Sequence, residues 1–90
     1  MTREDLAEII AEYMEKIEFS ITLIEKEIVF NEDIVSVMKK HNKSAYEFEK
    51  TINRLEIKLE IMKNAKDELN ELLENHDIEF KDVKELLKGE

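Results

Sequence analysis

Cysteine, proline and tryptophan are absent from this 90-residue chain, and its single glycine, Gly89, stands one residue from the end. Without cysteine there can be no disulfide and no thiolate metal ligand. Chains of strands and tight turns reverse direction with glycine and proline, so their scarcity leaves helices joined by polar connections. No run approaches the roughly 20 apolar residues that a bilayer demands, so no membrane partner is expected. The opening Met1-Thr2-Arg3-Glu4-Asp5 is polar and does not resemble a signal peptide, which makes a cytoplasmic location the expectation. Ninety residues suffice for one domain, and a chain of this size hides only roughly 60–65% of its unfolded surface. Its core must be thin, and oligomerisation is a common remedy.

What is present is charge, unevenly placed. The net charge is −9. Residues 1–33 hold three basic and ten acidic side chains, residues 39–66 eight basic and four acidic, and residues 67–90 three basic and nine acidic. An acidic arm, a basic arm and an acidic tail follow in order. The simplest reading is that the arms neutralise each other when folded.

Apolar residues recur at heptad spacing in both arms. Ala7, Met14, Ile21, Ile28 and Val35 fall at position a, with Ile10, Ile17, Ile24, Asn31 and Met38 at d. One register held over five heptads predicts a helix over about 4–40, with Asn31-Glu32-Asp33 the place for any kink. A polar stretch follows, and Ser44 with Glu47 forms a capping-box pattern that predicts a second helix start. From there Ala45, Ile52, Leu59, Lys66 and Leu73 occupy a, and Phe48, Leu55, Met62, Leu69 and His76 occupy d, giving a helix over about 45–75. After Asn75-His76-Asp77, the spacing of Ile78, Phe80, Val83, Leu86 and Leu87 suits a short amphipathic helix over about 79–88.

A short turn at 41–44 makes the two long helices antiparallel neighbours. Pairing a with d places Leu73 opposite Ile10, Leu69 opposite Met14, Leu59 opposite Ile24, and Met38 opposite Ala45. That register also sets Glu27 near Lys58 and Glu18 near Lys63, with Glu25–Glu56 and Glu32–Glu49 left as like-charge neighbours. Leu59, in a central layer, is expected to cost about 2–5 kcal/mol on truncation to alanine. The first helix carries more apolar surface than one partner covers: Leu6, Ile9, Tyr13, Leu23, Phe30, Ile34 and Val37 form a second stripe. On the second helix Ile61, Ala65 and Leu72 extend it. Large apolar patches mark interfaces. The expected fold is therefore all-α, an antiparallel coiled-coil-like hairpin plus a short C-terminal helix, in a single domain. Two such hairpins are expected to pair into a four-helix-bundle type of oligomer.

Little here can carry chemistry. His41 lies in the predicted turn and His76 ends the second helix, where a histidine meets the last carbonyls and the helix dipole favourably. A carboxylate-bridged metal site in a bundle wants Glu-x-x-His on inward faces. Met38 and Leu73 stand where those glutamates would be. No phosphate loop or nucleophile–base set occurs, so neither catalysis, metal nor cofactor is expected. Asn31 and Lys66 interrupt the seams, either to specify register or, for Lys66, with its stem buried and its charge led out to water.

The segment Ile34-Val35-Ser36-Val37-Met38-Lys39-Lys40-His41-Asn42-Lys43-Ser44-Ala45-Tyr46-Glu47-Phe48 resembles the helix-turn-helix of small transcription regulators. The resemblance implies Lys43, Lys50, Arg54 and Lys58 facing phosphate. The usual turn glycine is missing and the net charge opposes DNA. Acidic residues at the open end, by contrast, could imitate nucleic acid and fill the basic cleft of an enzyme. The favoured expectation is a non-enzymatic oligomerisation and protein–protein interaction module. Its partners are expected to be itself, as a homodimer, and a protein that the sequence does not identify.

Overall fold

The computed structural model describes residues 2–76, and within them the chain forms two long helices, α1 (Arg3–Lys40) and α2 (Tyr46–Asn75). Their bounds differ from those predicted by one residue at each N-terminus. The short helix expected over 79–88 lies outside the described residues.

α1 begins at a capping box. The Asp5 amide donates to Thr2 Oγ1 at 3.1 Å, and the Thr2 amide donates to Asp5 Oδ2 at 3.2 Å, so two groups left over at the helix start satisfy each other. Glu4 and Asp5 in the first turn, and Lys39 and Lys40 in the last, also suit the helix dipole. Asn31 does not interrupt the helix. It is half-buried, and its Nδ2 donates to the Glu27 carbonyl at 2.7 Å, which meets the polar need within the helix itself.

The helix ends in a Schellman arrangement. The Lys43 amide donates to the Met38 carbonyl at 2.8 Å and the Asn42 amide to the Lys39 carbonyl at 3.1 Å. Asn42 takes a left-handed conformation, φ 57°, the position that glycine usually fills. Asparagine tolerates it because its short polar side chain can bond locally. The missing turn glycine is thereby replaced.

The capping box predicted at Ser44 and Glu47 does not form. Ala45 is the N-cap of α2 and no side chain caps it. Ala45 is buried while Ser44 is exposed, so the chain enters α2 one residue later than the hydroxyl pattern suggested. Burial of a seam residue at the turn accompanies the loss of one capping bond.

The helices pack back to back along a 59 Å molecule whose other dimensions are 24 and 17 Å. A compact chain of this length would have a radius of gyration near 12 Å; the hairpin has 18.1 Å. The seam follows the a/d pattern: Ala7, Ile10, Met14, Ile24, Ala45 and Leu73 are buried, and the remaining seam residues are mostly half-buried. Burial is deepest at the open end, where Leu73 packs with Ala7, Ile10, Ala11 and Met14, flanked by Leu6 and Leu69. Leu73 meeting Ile10 and Met14 agrees with the predicted antiparallel register. Ala11 is fully buried although the heptad places it beside the seam. Leu59 and the central seam residues Ile21, Ile28, Leu55 and Met62 are only half-buried, whereas Ile24 among them is buried.

The interhelical charges differ from expectation. Lys66 Nζ meets Glu18 at 3.3 Å, where Lys63 was the expected partner, and Glu27 and Lys58 form no ion pair. Lys66 is half-buried on the seam, so its stem packs while its ammonium reaches sideways to the carboxylate. Lys39 pairs with Glu49 at 3.1 Å, and this supplies the counter-charge that the expected Glu32–Glu49 contact lacked.

Candidate interaction face

Two helices laid side by side expose two long faces, and here the two are unlike. With a heptad counted from Met14 as a, one face presents the e positions: Glu18, Glu25, Glu32 and Lys39 of α1, with Glu49, Glu56 and Lys63 of α2. The opposite face presents the c and g positions. There α1 places Ile9, Tyr13, Leu23, Phe30 and Val37 exposed, with Leu6 and Ile34 half-buried. α2 adds exposed Ile61 and Leu72 and half-buried Ala65. Tyr13 and Phe30 are 60% and 65% exposed, which is costly for aromatic rings that gain stability from burial.

Each apolar residue predicted for this stripe thus lies on it, but not to equal effect. Leu6 packs partly against the buried cluster at the open end, and Ile34 sinks partly beside the seam. Near the turn, Phe30, Asp33, Ile34, Val37 and Met38 line an open apolar groove of about 310 Å³. Lys16 lies in the same stripe, its Nζ 6.0 Å from the centre of the Tyr13 ring. Phe19, Val29, Tyr46 and Ile57 are exposed as well, at other heptad positions. They are scattered single residues, which soluble surfaces carry routinely. The sequence pattern did not single out Phe19 or Val29, because neither belongs to a repeating spacing.

No protein-family model matches the chain, and no curated protein or solved structure is significantly similar to it.

The charged ends are equally distinct. Glu4, Asp5, Glu8, Glu12 and Glu15 of α1 and Glu68, Glu71 and Glu74 of α2 are exposed together at the open end. At the turn end Lys39, Lys40, Lys43, Lys50, Arg54 and Lys58 are exposed, interspersed with Glu47, Glu49 and Glu56. The open end is strongly negative, whereas at the turn end the bases are balanced by Glu27, Glu32 and Asp33 of α1 together with Glu47, Glu49 and Glu56. Lys43 lies in the turn, and Lys50, Arg54 and Lys58 follow at four-residue spacing on α2. That helix folds back along α1, whereas the helices of a helix-turn-helix cross at about 90–120°.

His41 and His76 are exposed at the C-terminal ends of α1 and α2. Their backbone amides donate to Val37 and Met38 carbonyls and to the Leu73 carbonyl respectively. Among the described residues, no three histidine, aspartate or glutamate side chains gather closely enough to hold a metal ion. None of the described helices is long and apolar enough to cross a membrane.

Proposed function

We propose that this chain is a non-catalytic helical module for oligomerisation and protein–protein interaction, a regulator, adaptor or assembly factor that works through the c/g face of its hairpin. The observation that carries this reading is the asymmetry of the two faces. The e positions of α1 are mainly charged, while its other face carries exposed apolar residues from Ile9 to Val37, interrupted by Lys16, Ser20 and Glu27 and bordered on α2 by Arg54, Lys58 and Glu68.

Sedimentation equilibrium tests the reading. A mass above 10.7 kDa at micromolar concentration is expected for the wild type. Leu23→Glu combined with Phe30→Glu, at exposed positions, should return it to the monomer mass while helical circular dichroism persists. A wild-type mass of 10.7 kDa at every concentration removes self-association from the proposal.

A further inference from the structure

The stripe on α1 is complementary to itself in reverse. Taking its c and g positions as Leu6, Ile9, Tyr13, Lys16, Ser20, Leu23, Glu27, Phe30, Ile34 and Val37, an antiparallel copy can be laid against it with the first of the stripe opposite the last. Leu6 then meets Val37, Ile9 meets Ile34, Tyr13 meets Phe30, and Ser20 meets Leu23. The two charged residues of the stripe, Lys16 and Glu27, meet each other. Sliding by one heptad in either direction puts Glu27 against Ile9 or against Leu23, burying a carboxylate on an apolar partner. Of these three registers, only the first pairs the two charges with each other.

We infer that the occupant of the c/g face is a second copy of this chain, packed antiparallel about a two-fold axis that crosses α1 between Ser20 and Leu23. The inference rests on the interaction-module reading and deepens it by naming the partner and its orientation. In this arrangement the groove beside Phe30, Ile34 and Val37 receives Tyr13 and Ile9 of the partner. Tyr13 and Phe30, each more than half exposed in one hairpin, bury each other as an aromatic pair, and there are two such pairs per dimer. The seam runs about 46 Å from Leu6 to Val37 at the helical rise.

The second helix adds to the contact. By the pairing of Ile24 with Leu59 the same axis crosses α2 near Ile61 and Met62, which brings the exposed Ile61 of the two copies together. The charged ends agree too. Antiparallel stacking keeps the two acidic open ends apart, whereas a parallel pair would bring them together. Like-charge avoidance of this kind selects orientation more than it adds affinity. Self-complementary contacts repeated about a two-fold are what a closed dimer requires.

The experiment uses charge exchange at Lys16 and Glu27, both exposed, with sedimentation equilibrium as the readout. Lys16→Glu alone turns each of the two Lys16–Glu27 contacts of the dimer into a pair of carboxylates, and Glu27→Lys alone turns each into a pair of ammonium groups. Each variant should dissociate on the order of tenfold more readily than wild type. Mixing the two variants in equal amounts should restore association, because a mixed dimer then has one contact between two native residues and one between two exchanged ones. Both contacts then pair a lysine with a glutamate, so the mixed dimer is free of the repulsion that each variant meets when paired with itself. The double variant carrying both exchanges restores an attractive pair at both contacts and should associate as the wild type does. A second readout uses the absence of cysteine: Lys43→Cys carries one spin label per turn, and the label-to-label distance in the dimer should lie near the 59 Å long dimension.

Recovery of association in the double variant together with a long distance establishes the arrangement. A dimer in which the double exchange fails to recover association, or in which the turn labels lie close together, overturns the antiparallel inference and leaves the interaction-module reading standing. A wild-type protein that stays monomeric overturns this inference and the self-association reading together.

Discussion

Leu73→Ala removes the three outer carbons of a side chain that is 1% exposed and packed with Ala7, Ile10, Ala11 and Met14. Transfer alone accounts for about 2.4 kcal/mol at roughly 0.8 kcal/mol per buried methylene-sized group. A cavity adds to this wherever the surroundings fail to collapse. Two of the lining residues are alanines with nothing to swing inward, whereas Met14 has a flexible thioether that can fill part of the space. The loss should therefore be about 3 kcal/mol, in the lower half of the range for buried leucines. The outward side of α2 provides the control, since Ile57 is 61% exposed and Ile57→Ala should cost under about 0.5 kcal/mol. Leu59→Ala, half-buried, should fall between them and below the cost expected from the heptad pattern alone. Urea unfolding followed by helical circular dichroism reads all three, with Leu73→Ala lowering the midpoint by roughly 1–3 M at a slope typical of small proteins. The variants must be compared at one protomer concentration, because association and folding are linked in a dimer. Equal costs at Leu73 and Ile57 would refute the seam assignment, and a larger cost at Leu59 than at Leu73 would refute the placement of the core at the open end.

Two further predictions concern the helix ends and the interhelical charges. Thr2→Ala removes the hydroxyl half of the capping box and should cost about 0.5–2 kcal/mol, seen as faster amide exchange through the first turns of α1, whereas Ser44→Ala should change stability little because Ser44 caps nothing. A double-mutant cycle on Glu18 and Lys66 should give a coupling of about 0.2–1 kcal/mol that fades with added salt. The same cycle on Glu27 and Lys58 should give almost none; a larger coupling there than at Glu18–Lys66 would show the hairpin register to be misplaced.

Much of the hairpin is legible from residues alone, because helix period, seam and stripe are all written at fixed local spacing. Ala7, Ile10, Met14, Ile24 and Leu73 can be assigned to the seam, and Tyr13, Leu23, Phe30 and Val37 to an exposed band, from heptad positions without coordinates. The same spacing bounds both long helices to within one residue, since the turn between them is short and polar. The stop after Lys40 is less legible. The turn lacks glycine, and only the left-handed Asn42 with its neighbouring carbonyl bonds reveals how the helix closes. Thr2 and Asp5 do not stand out, because aspartate occupies the place where the usual capping pattern has glutamate or glutamine. Tertiary structure alone decides which ammonium Glu18 meets, that Ala11 is buried, and that the open end is packed more deeply than the centre. Periodicity specifies the direction in which a side chain leaves its helix. How far it is buried, and which of several nearby charges it reaches, depends on the distance between two chain segments dozens of residues apart.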